Sequence, residues 1–175
     1  MSDFKPRVGD DDPLTPNPRA QYVELAVQSC FSFGRGAARS EELVLRAYAL
    51  GYDAIGITDV NTLAGIVRMH RDAQETQMRP IIGCRLEPVD GPALLAWPKD
   101  REAYGRLCRL ISKGRMAAGD AAKGNIATGK DCALSVEDIA ELTEGLVLAT
   151  APPDDLDTFE EAFRAIIAAL PVSHI

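Results

Sequence analysis

The sequence predicts an α/β fold in which a sheet of mostly parallel strands carries helices on its outside. Short apolar runs bounded by turn residues alternate with longer stretches whose apolar residues recur at helical spacing. This alternation is typical of βαβ units, which pack helices on a parallel sheet. The chain has 175 residues, enough for one domain with its own core, and it contains no internal repeat.

Residues 1–20 are predicted to be a flexible tail, and residues 21–175 to form the domain. The tail holds four prolines and three consecutive aspartates but few apolar side chains. Such a segment cannot bury enough surface to offset the entropy lost on ordering it. A first strand is predicted at residues 22–27. Gly34 and Gly36 in the following loop match neither the dinucleotide nor the P-loop pattern, so a flexible loop is favoured over a phosphate cradle.

The first helix is predicted to have Ser40 as its N-cap and to end at Gly51. The apolar run from Ala54 to Thr58 predicts a buried second strand, and Asp59 is expected to open the loop after it. A carboxylate at that strand end is a candidate metal ligand or base, because ligands collect at this edge of α/β sheets. An acid just before a helical pattern is also an ordinary N-cap, and spacing alone favours the cap.

The second helix is predicted to carry Leu63 and His70 among residues at helical spacing. A lone histidine on a helix is more often a packed or surface group than a ligand, so we favour the structural interpretation of His70. The third strand is predicted at residues 79–86 and the fourth at residues 93–97.

A basic helix is predicted to follow Asp100, which is placed to cap it. The segment 99–115 concentrates lysine and arginine and could face DNA or an acidic partner. A solvated surface is favoured, because blocks of charge usually remain in water. Residues 114–133 are rich in glycine, alanine and lysine with weak periodicity, which predicts a mobile loop.

A fifth strand and two further helices complete the predicted elements. Ser135 and Asp138 resemble a capping box that opens a short helix reaching Glu144. The strand follows at residues 146–150, and a closing helix is expected over residues 158–170 before a proline. Five strands are fewer than an eight-unit barrel requires, so a barrel-like fold would be an incomplete one.

The composition excludes some classes of protein. The chain is 46% hydrophobic, yet no apolar run approaches the roughly 18 residues of a membrane span, and the N-terminus lacks the order of a signal peptide. We therefore expect a cytoplasmic protein without membrane contact. The 26 acidic and 19 basic residues give a net charge of −7, which predicts weak or no independent binding of DNA.

The cysteines are scattered and form no C-x-x-C pair, so they indicate neither a zinc site nor a redox dithiol. Reduced, unpaired thiols fit the expected cytoplasmic location. The four positions are Cys30, Cys84, Cys108 and Cys132.

Three stretches in order carry a resemblance to a known family: the segment from Tyr22 to Ala73 that includes GYDAIGITDVNTLAG, then RPIIGC, then LLAWPKDREAYGRLCRLIS. Together they resemble the PHP (polymerase and histidinol phosphatase) domain of bacterial family C DNA polymerase alpha subunits, most closely the error-prone, translesion branch. The likeness runs from about Tyr22 to Leu170. It implies an incomplete or distorted (β/α)7 PHP-type barrel, with the sequence stopping before the family's last ligand motifs.

The resemblance also implies where metal ligands would lie. The family's H-x-H pair falls on Ala26 and Gln28, and the aspartate and histidine of its T-D-H loop fall on Asp59 and Val60. The glutamate after its I-G-C stretch falls on Arg85. Alanine and valine donate no lone pair, and an arginine places a cation where a cation should bind. We therefore expect no cofactor and a site that is dead as a metallohydrolase.

Two functions remain open on this interpretation. The favoured one is a non-catalytic structural or interaction module that packs against polymerase domains or other replication and repair proteins, with a homodimer possible through an open sheet edge. The alternative is a metal-dependent phosphoesterase or 3′-5′ exonuclease that uses Zn, Mn or Mg. It needs substitute ligands, and the available set is Asp59, Glu87, Gln28 and His70.

Overall fold

The computed structural model describes residues 22–119, 132–151 and 159–170. The predicted N-terminal tail, most of the predicted mobile loop and the proline after the closing helix lie outside these residues. The described elements in chain order are β1 (Glu24–Val27), α1 (Ser40–Ala49), β2 (Ala54–Val60), α2 (Ile66–Thr76), β3 (Arg79–Leu86), β4 (Leu94–Pro98), α3 (Arg101–Ala118), α4 (Val136–Glu141), β5 (Leu146–Thr150) and α5 (Phe159–Ala169).

The five described strands form one curled mixed sheet in the order β1-β2-β3-β4-β5. The pairs β1–β2 and β2–β3 are parallel, whereas β3–β4 and β4–β5 are antiparallel. Only β4 therefore runs against the other four strands. The link between β3 and β4 is too short for the crossover helix that a parallel pair requires. The predicted mostly parallel sheet is thus correct for strand direction, but half of its pairings are antiparallel.

The helices cover the outer face of the sheet in two hydrophobic clusters. Val44 of α1 and Met69 of α2 are fully buried against Ile55 and Ile57 of β2. A larger cluster joins β3, β4 and β5 to α3, α4 and α5, with Leu107 completely buried within it. Burial of such aliphatic side chains supplies the main free energy that holds the layers together.

The curl brings the inner face of β4 onto β1. The indole N–H of Trp97 donates to the carbonyl oxygen of Leu25, 3.1 Å away. The ring lies over Gly83, where a Cβ atom would come within 2.6 Å of it. At Gly56 a Cβ atom would meet the Leu25 backbone at 2.5 Å. These two glycines therefore allow the strands and the indole to approach closely.

Several predicted helix ends are confirmed and others are wrong. Asp100 caps α3, since its Oδ1 accepts from the Ala103 N–H at 2.8 Å. Ser135 and Asp138 form the predicted capping box of α4. Gly51, with a φ of 80°, follows the end of α1 as predicted.

The N-cap of α1 is Arg39 and not Ser40, and the Arg39 N–H is bound by the Glu42 carboxylate at 2.8 Å. Ser40 is instead buried and donates to Asp72 at 2.9 Å. A partner on another helix thus replaces the expected cap. Leu63 precedes α2, which begins only at Ile66.

Residues 114–118 belong to α3 and are not part of a mobile loop. Gly114 is retained in the helix because a Cβ atom there would lie 2.6 Å from the side chains of Cys132 and Leu134. Tertiary packing therefore overrides the weak local helix propensity of the glycine. At the other predicted boundary, α4 ends at Glu141 and not at Glu144. No described helix is both long and apolar enough to cross a membrane.

Candidate functional site at the carboxyl ends of the strands

The predicted edge of the sheet brings together the ends of β1, β2 and β3. Asp59 lies within β2, where it pairs with Cys84 of β3, and does not open the loop after the strand. Its side chain is 2% exposed. The structure thus places Asp59 at the carboxyl end of a parallel strand, as the sequence predicted, but beneath the surface.

The carboxylate of Asp59 accepts hydrogen bonds from the loop that follows β1. The Ser29 N–H donates to Oδ1 at 2.7 Å, the Ser29 hydroxyl to Oδ2 at 2.7 Å and the Ser32 hydroxyl to Oδ1 at 2.6 Å. Asp59 is not the N-cap of α2, because that position belongs to Gly65. The predicted cap is therefore wrong, and the loop donors explain how a buried carboxylate is satisfied.

The same serines give the loop a defined structure. The Ser29 hydroxyl also accepts from the Phe31 N–H at 3.2 Å, and the Ser32 hydroxyl accepts from the Val60 N–H at 3.1 Å. A Cβ atom at Gly36 would lie 2.1 Å from the Ser29 carbonyl oxygen. Gly36 therefore allows close packing in a hydrogen-bonded loop, in contrast to the flexible loop that Gly34 and Gly36 predicted.

Glu87 lies beside this loop and is held by two guanidinium groups. Arg35 donates to both of its carboxylate oxygens, and Arg85 Nε donates to Oε1 at 2.9 Å. Burial raises the pKa of the Glu87 carboxyl, but the hydrogen bonds and charges of Arg35 and Arg85 outweigh burial and leave the pKa below its usual value. Glu87 is therefore an ion-pair partner of Arg85.

Asn61 connects the ends of β2, β3 and α3. It adopts a left-handed φ of 49°, its N–H donates to the Arg85 carbonyl oxygen at 2.8 Å, and its Oδ1 accepts from the Glu87 N–H at 3.0 Å. Its own carbonyl oxygen accepts from Arg115 at 3.2 Å. The side-chain Nδ2 is buried and has no hydrogen-bond partner among the described residues.

The remaining predicted positions contribute little at this edge. Ala26 is exposed and Gln28 is half-buried at the end of β1, while Val60 is half-buried at the end of β2. His70 is exposed on α2. Cys84 lies below the edge, and its thiol donates to the Asp59 carbonyl oxygen at 3.3 Å.

The donor set does not fit a metal ion. No group of three or more histidine, cysteine, aspartate or glutamate side chains is suitably arranged within the described part of the chain. Asp59 accepts from serine donors and Glu87 from arginines. Burial raises the pKa of the Cys84 thiol to about 12, which opposes the thiolate that a metal would require.

Sequence reasoning missed Ser29, Ser32, Arg35 and Asn61. The serines could not be found from periodicity, because a hydroxyl in a loop belongs to no repeating pattern. Their spacing of three residues is compatible with both hydroxyls donating to one carboxylate. Asn61 could have been found from its position directly after a strand, since asparagine tolerates a positive φ better than most residues.

The basic helix α3 is partly committed to internal contacts. Lys113 pairs with Asp138 at 2.6 Å and Glu141 at 2.8 Å, and Arg106 donates to the Glu144 carbonyl oxygen. Arg115 binds the Asn61 carbonyl oxygen. Part of the basic surface predicted to be solvated therefore forms ion pairs and hydrogen bonds between α3 and neighbouring segments.

A family model described as the PHP domain matches residues 24–169 of this chain. An error-prone DNA polymerase of Rhodopirellula baltica is 42% identical over 159 residues, which make up 90% of this chain and 13% of that protein. An error-prone DNA polymerase of Caulobacter vibrioides is 45% identical over 142 residues, which make up 80% of this chain and 12% of that protein. The chain therefore spans a small fraction of the length of these relatives.

Two solved structures share the fold. A protein of Bifidobacterium adolescentis, proposed to be a metal-dependent phosphoesterase, superimposes with a TM-score of 0.60 at 15% identity, covering 88% of this chain and 76% of that one. An amidohydrolase of Chromobacterium violaceum, solved with sulfate and no metal, gives a TM-score of 0.63 at 16% identity, covering 84% and 74%. At these identities the likeness concerns the fold.

Proposed function

The chain belongs to the PHP domain family, and from this premise we propose that it is the PHP domain of an error-prone DNA polymerase alpha subunit, acting as a metal-free structural or interaction module. Its identity to error-prone polymerases over most of its length supports the assignment to that branch. The biological context we propose is translesion synthesis in DNA replication and repair, in the cytoplasm.

One observation carries the non-catalytic part of the proposal. The two carboxylates nearest the strand ends are bound by donors from the chain itself, Asp59 by Ser29 and Ser32, and Glu87 by Arg35 and Arg85. A hydrolytic metal needs such carboxylates together with imidazoles to lower the pKa of bound water. Here the partners of both carboxylates are serine and guanidinium donors, and no imidazole is among them.

The proposed partners are polymerase domains or other replication and repair proteins. The inner face of the sheet carries apolar side chains at its edges, with Leu25 41% and Val147 43% exposed. We infer that this face becomes covered when a distorted (β/α)7 barrel is completed by further polypeptide. An apolar sheet face without a cover favours association.

Metal content tests the proposal. The 175-residue chain is purified with Zn²⁺ and Mn²⁺ present, desalted and analysed by elemental spectrometry, together with an Asp59→Ala variant. We expect no tightly held ion in either protein. Two or more ions per chain that disappear in the variant would overturn the metal-free function.

A second candidate function is a metal-dependent phosphoesterase or 3′-5′ exonuclease. The position of Asp59 and Glu87 at the carboxyl ends of neighbouring strands favours it, since this is where ligands collect in α/β folds. Incubation with an end-labelled single strand and Mn²⁺ tests this candidate. Shortening that is lost in Asp59→Ala but kept in Glu75→Ala, an exposed acid of α2, would establish it, and an unchanged strand would remove it.

A further inference from the structure

We propose that β5 and the adjoining groove beneath α5 form a self-association surface, through which β5 pairs with β5 of a second copy of this chain about a two-fold axis. This surface goes beyond the function proposed above, which concerns other partners and the inner face of the sheet.

β5 is an edge strand without the features that usually prevent edge-to-edge pairing. Within the described residues it pairs only with β4, and the register of this pair is regular from Leu146 to Thr150. Its sequence, LVLAT, contains neither a charged residue nor a proline. Charges, prolines and bulges usually protect an edge, because its row of backbone N–H and C=O groups is otherwise a template for a further strand. β5 has none of these three protections.

The other described edge of the sheet, β1, is protected. It is four residues long, carries the charged Glu24, and has an irregular register with β2 between Glu24 and Val27. The Tyr22 hydroxyl donates to the Glu24 carboxylate at 2.7 Å. A strand added at β1 would have to desolvate this carboxylate, which is costly. Of the two described edges, β5 is therefore the one suited to pairing.

The β5 strand is complementary to its own copy. In a two-fold contact the same surface lies on both sides, so the two strands would run antiparallel. Pairing centred on Leu148 would place Val147 opposite Ala149 of the second copy, and no charge of the strand would face a like charge. Val147 is 43% exposed and Ala149 is also exposed, so pairing would remove apolar surface from water. Because the strand offers no charge that would select a different partner, we assign its own copy as the occupant.

An apolar groove continues this surface onto the outer face of the sheet. The groove has a volume of about 220 Å³, lies between α5 and the strands β4 and β5, and extends to Ala149 and Thr150 of the edge strand. Its apolar lining consists of Leu94, Leu148, Phe163, Ile166, Ile167 and Leu170.

Helix α5 leaves part of its own apolar side uncovered beside this groove. Phe163 and Ile167 are only half-buried, and the Phe163 ring stacks on Phe159 with 5.6 Å between ring centroids. A two-fold axis perpendicular to the joined sheet would place both α5 helices on the same face, one on each side of the axis. Each pair of phenylalanines could then shield the groove of the other copy, which extends the interface from the strands to the helices.

Sedimentation velocity of the 175-residue chain, from low to high micromolar concentration, tests for association. We expect a dimer to form as the concentration rises, with little dependence on sodium chloride because the surface is apolar. Hydrogen exchange followed by nuclear magnetic resonance locates the contact. The amide groups on the free side of β5 should exchange more slowly when the chain is dimeric.

Variants separate pairing through β5 from general hydrophobic association. Val147→Lys should weaken association about tenfold or more, because the dimer contains the lysine twice and a lysine on an edge strand opposes pairing. Val67→Lys is the matched control, since Val67 is 78% exposed on α2, and it should leave association unchanged. If circular dichroism shows that Val147→Lys does not fold, Ala149→Lys takes its place.

Three results would each overturn the proposal: a chain that stays monomeric throughout, equal weakening by Val147→Lys and Val67→Lys, or a dimer that both Val147→Lys and Ala149→Lys leave intact. In the last case, slower exchange of the β1 amides on dimerisation would assign the contact to the other edge. No metal enters this experiment, so this proposal and the metal-free function can fail independently.

Discussion

The Trp97 indole N–H reaches the Leu25 carbonyl oxygen across the two strands that lie between β4 and β1. This hydrogen bond requires the sheet to curl. It also requires a glycine beneath the Trp97 ring. Gly83 meets that need, with a Cβ position 2.6 Å from the indole and 2.7 Å from Thr58 Cγ2. The tight packing at this point leads to the first two predictions.

Gly83→Ala should destabilise the protein by about 1–3 kcal/mol, because the added methyl group overpacks the space under the indole. Gly105→Ala is the matched control, since apart from its chain neighbours and the adjacent backbone of α3 no atom lies within 4 Å of its Cβ position. That control should stabilise the helix by roughly 0.5–1 kcal/mol. Urea unfolding followed by circular dichroism measures both, and changes of the same sign would contradict the packing argument.

Trp97→Phe should lower the free energy of unfolding by about 1 kcal/mol or more, because the smaller phenyl ring fills less space and has no N–H to bind the Leu25 carbonyl oxygen. Tyr48→Phe, on a residue that is 38% exposed, should change stability by less than about 0.5 kcal/mol. Thermal and urea unfolding provide the measurement. Equal effects of the two substitutions would mean that the bond across the sheet contributes nothing.

Asp59→Ala should cost about 3 kcal/mol or more, because it leaves the Ser29 N–H and two buried hydroxyl groups without their acceptor. Ser32→Ala should cost less, since it removes one donor to Asp59 and one acceptor for Val60. Glu75→Ala, on the exposed side of α2, should stay within about 0.5 kcal/mol. Equilibrium urea unfolding ranks the three variants, and a neutral Asp59→Ala would show that the carboxylate does not hold the loop.

The strands, the helices and the position of Asp59 at the end of β2 could be predicted from the sequence. The hydrogen-bond donors to Asp59 could not. Periodicity located five strands and the helices between them, because burial imposes a period of 2 or 3.6 on the chain. It could not assign direction to β4 or extend α3 past Gly114, since both depend on contacts with distant residues such as Leu134.

The hydrogen-bond partners of Asp59 and Glu87 could not be predicted for the same reason. The described donors to the Asp59 carboxylate come from a loop about thirty residues earlier in the chain, and Glu87 joins two arginines that are far apart in sequence. Loop hydroxyls and arginines have no periodic pattern, so only the folded chain reveals them as partners. The resemblance implied candidate ligand positions but not what Asp59 and Glu87 bind.

The link between α3 and α4 should make stability depend on pH. The hydrogen bond and charge of Lys113, together with Ser135, hold the pKa of Asp138 below its usual value, and Asp138 and Glu141 raise the pKa of Lys113. The Asp138 contribution is complete above the ordinary aspartate pKa of 3.8 and is lost as pH falls through the lower folded value. The Lys113 contribution is complete below the ordinary lysine pKa of 10.5 and is lost as pH rises through the higher folded value.

Lys113→Met should therefore lower stability at neutral pH and flatten the decline of stability at both extremes, because the variant has no charge at residue 113 to pair with Asp138 and Glu141. Arg164→Met is the control: its ion pair with Glu160 is 77% and 75% exposed, so water screens it and little should change. Urea midpoints from acidic to alkaline pH measure both variants. Parallel pH profiles for wild type and Lys113→Met would show that the cluster between α3 and α4 does not contribute to stability.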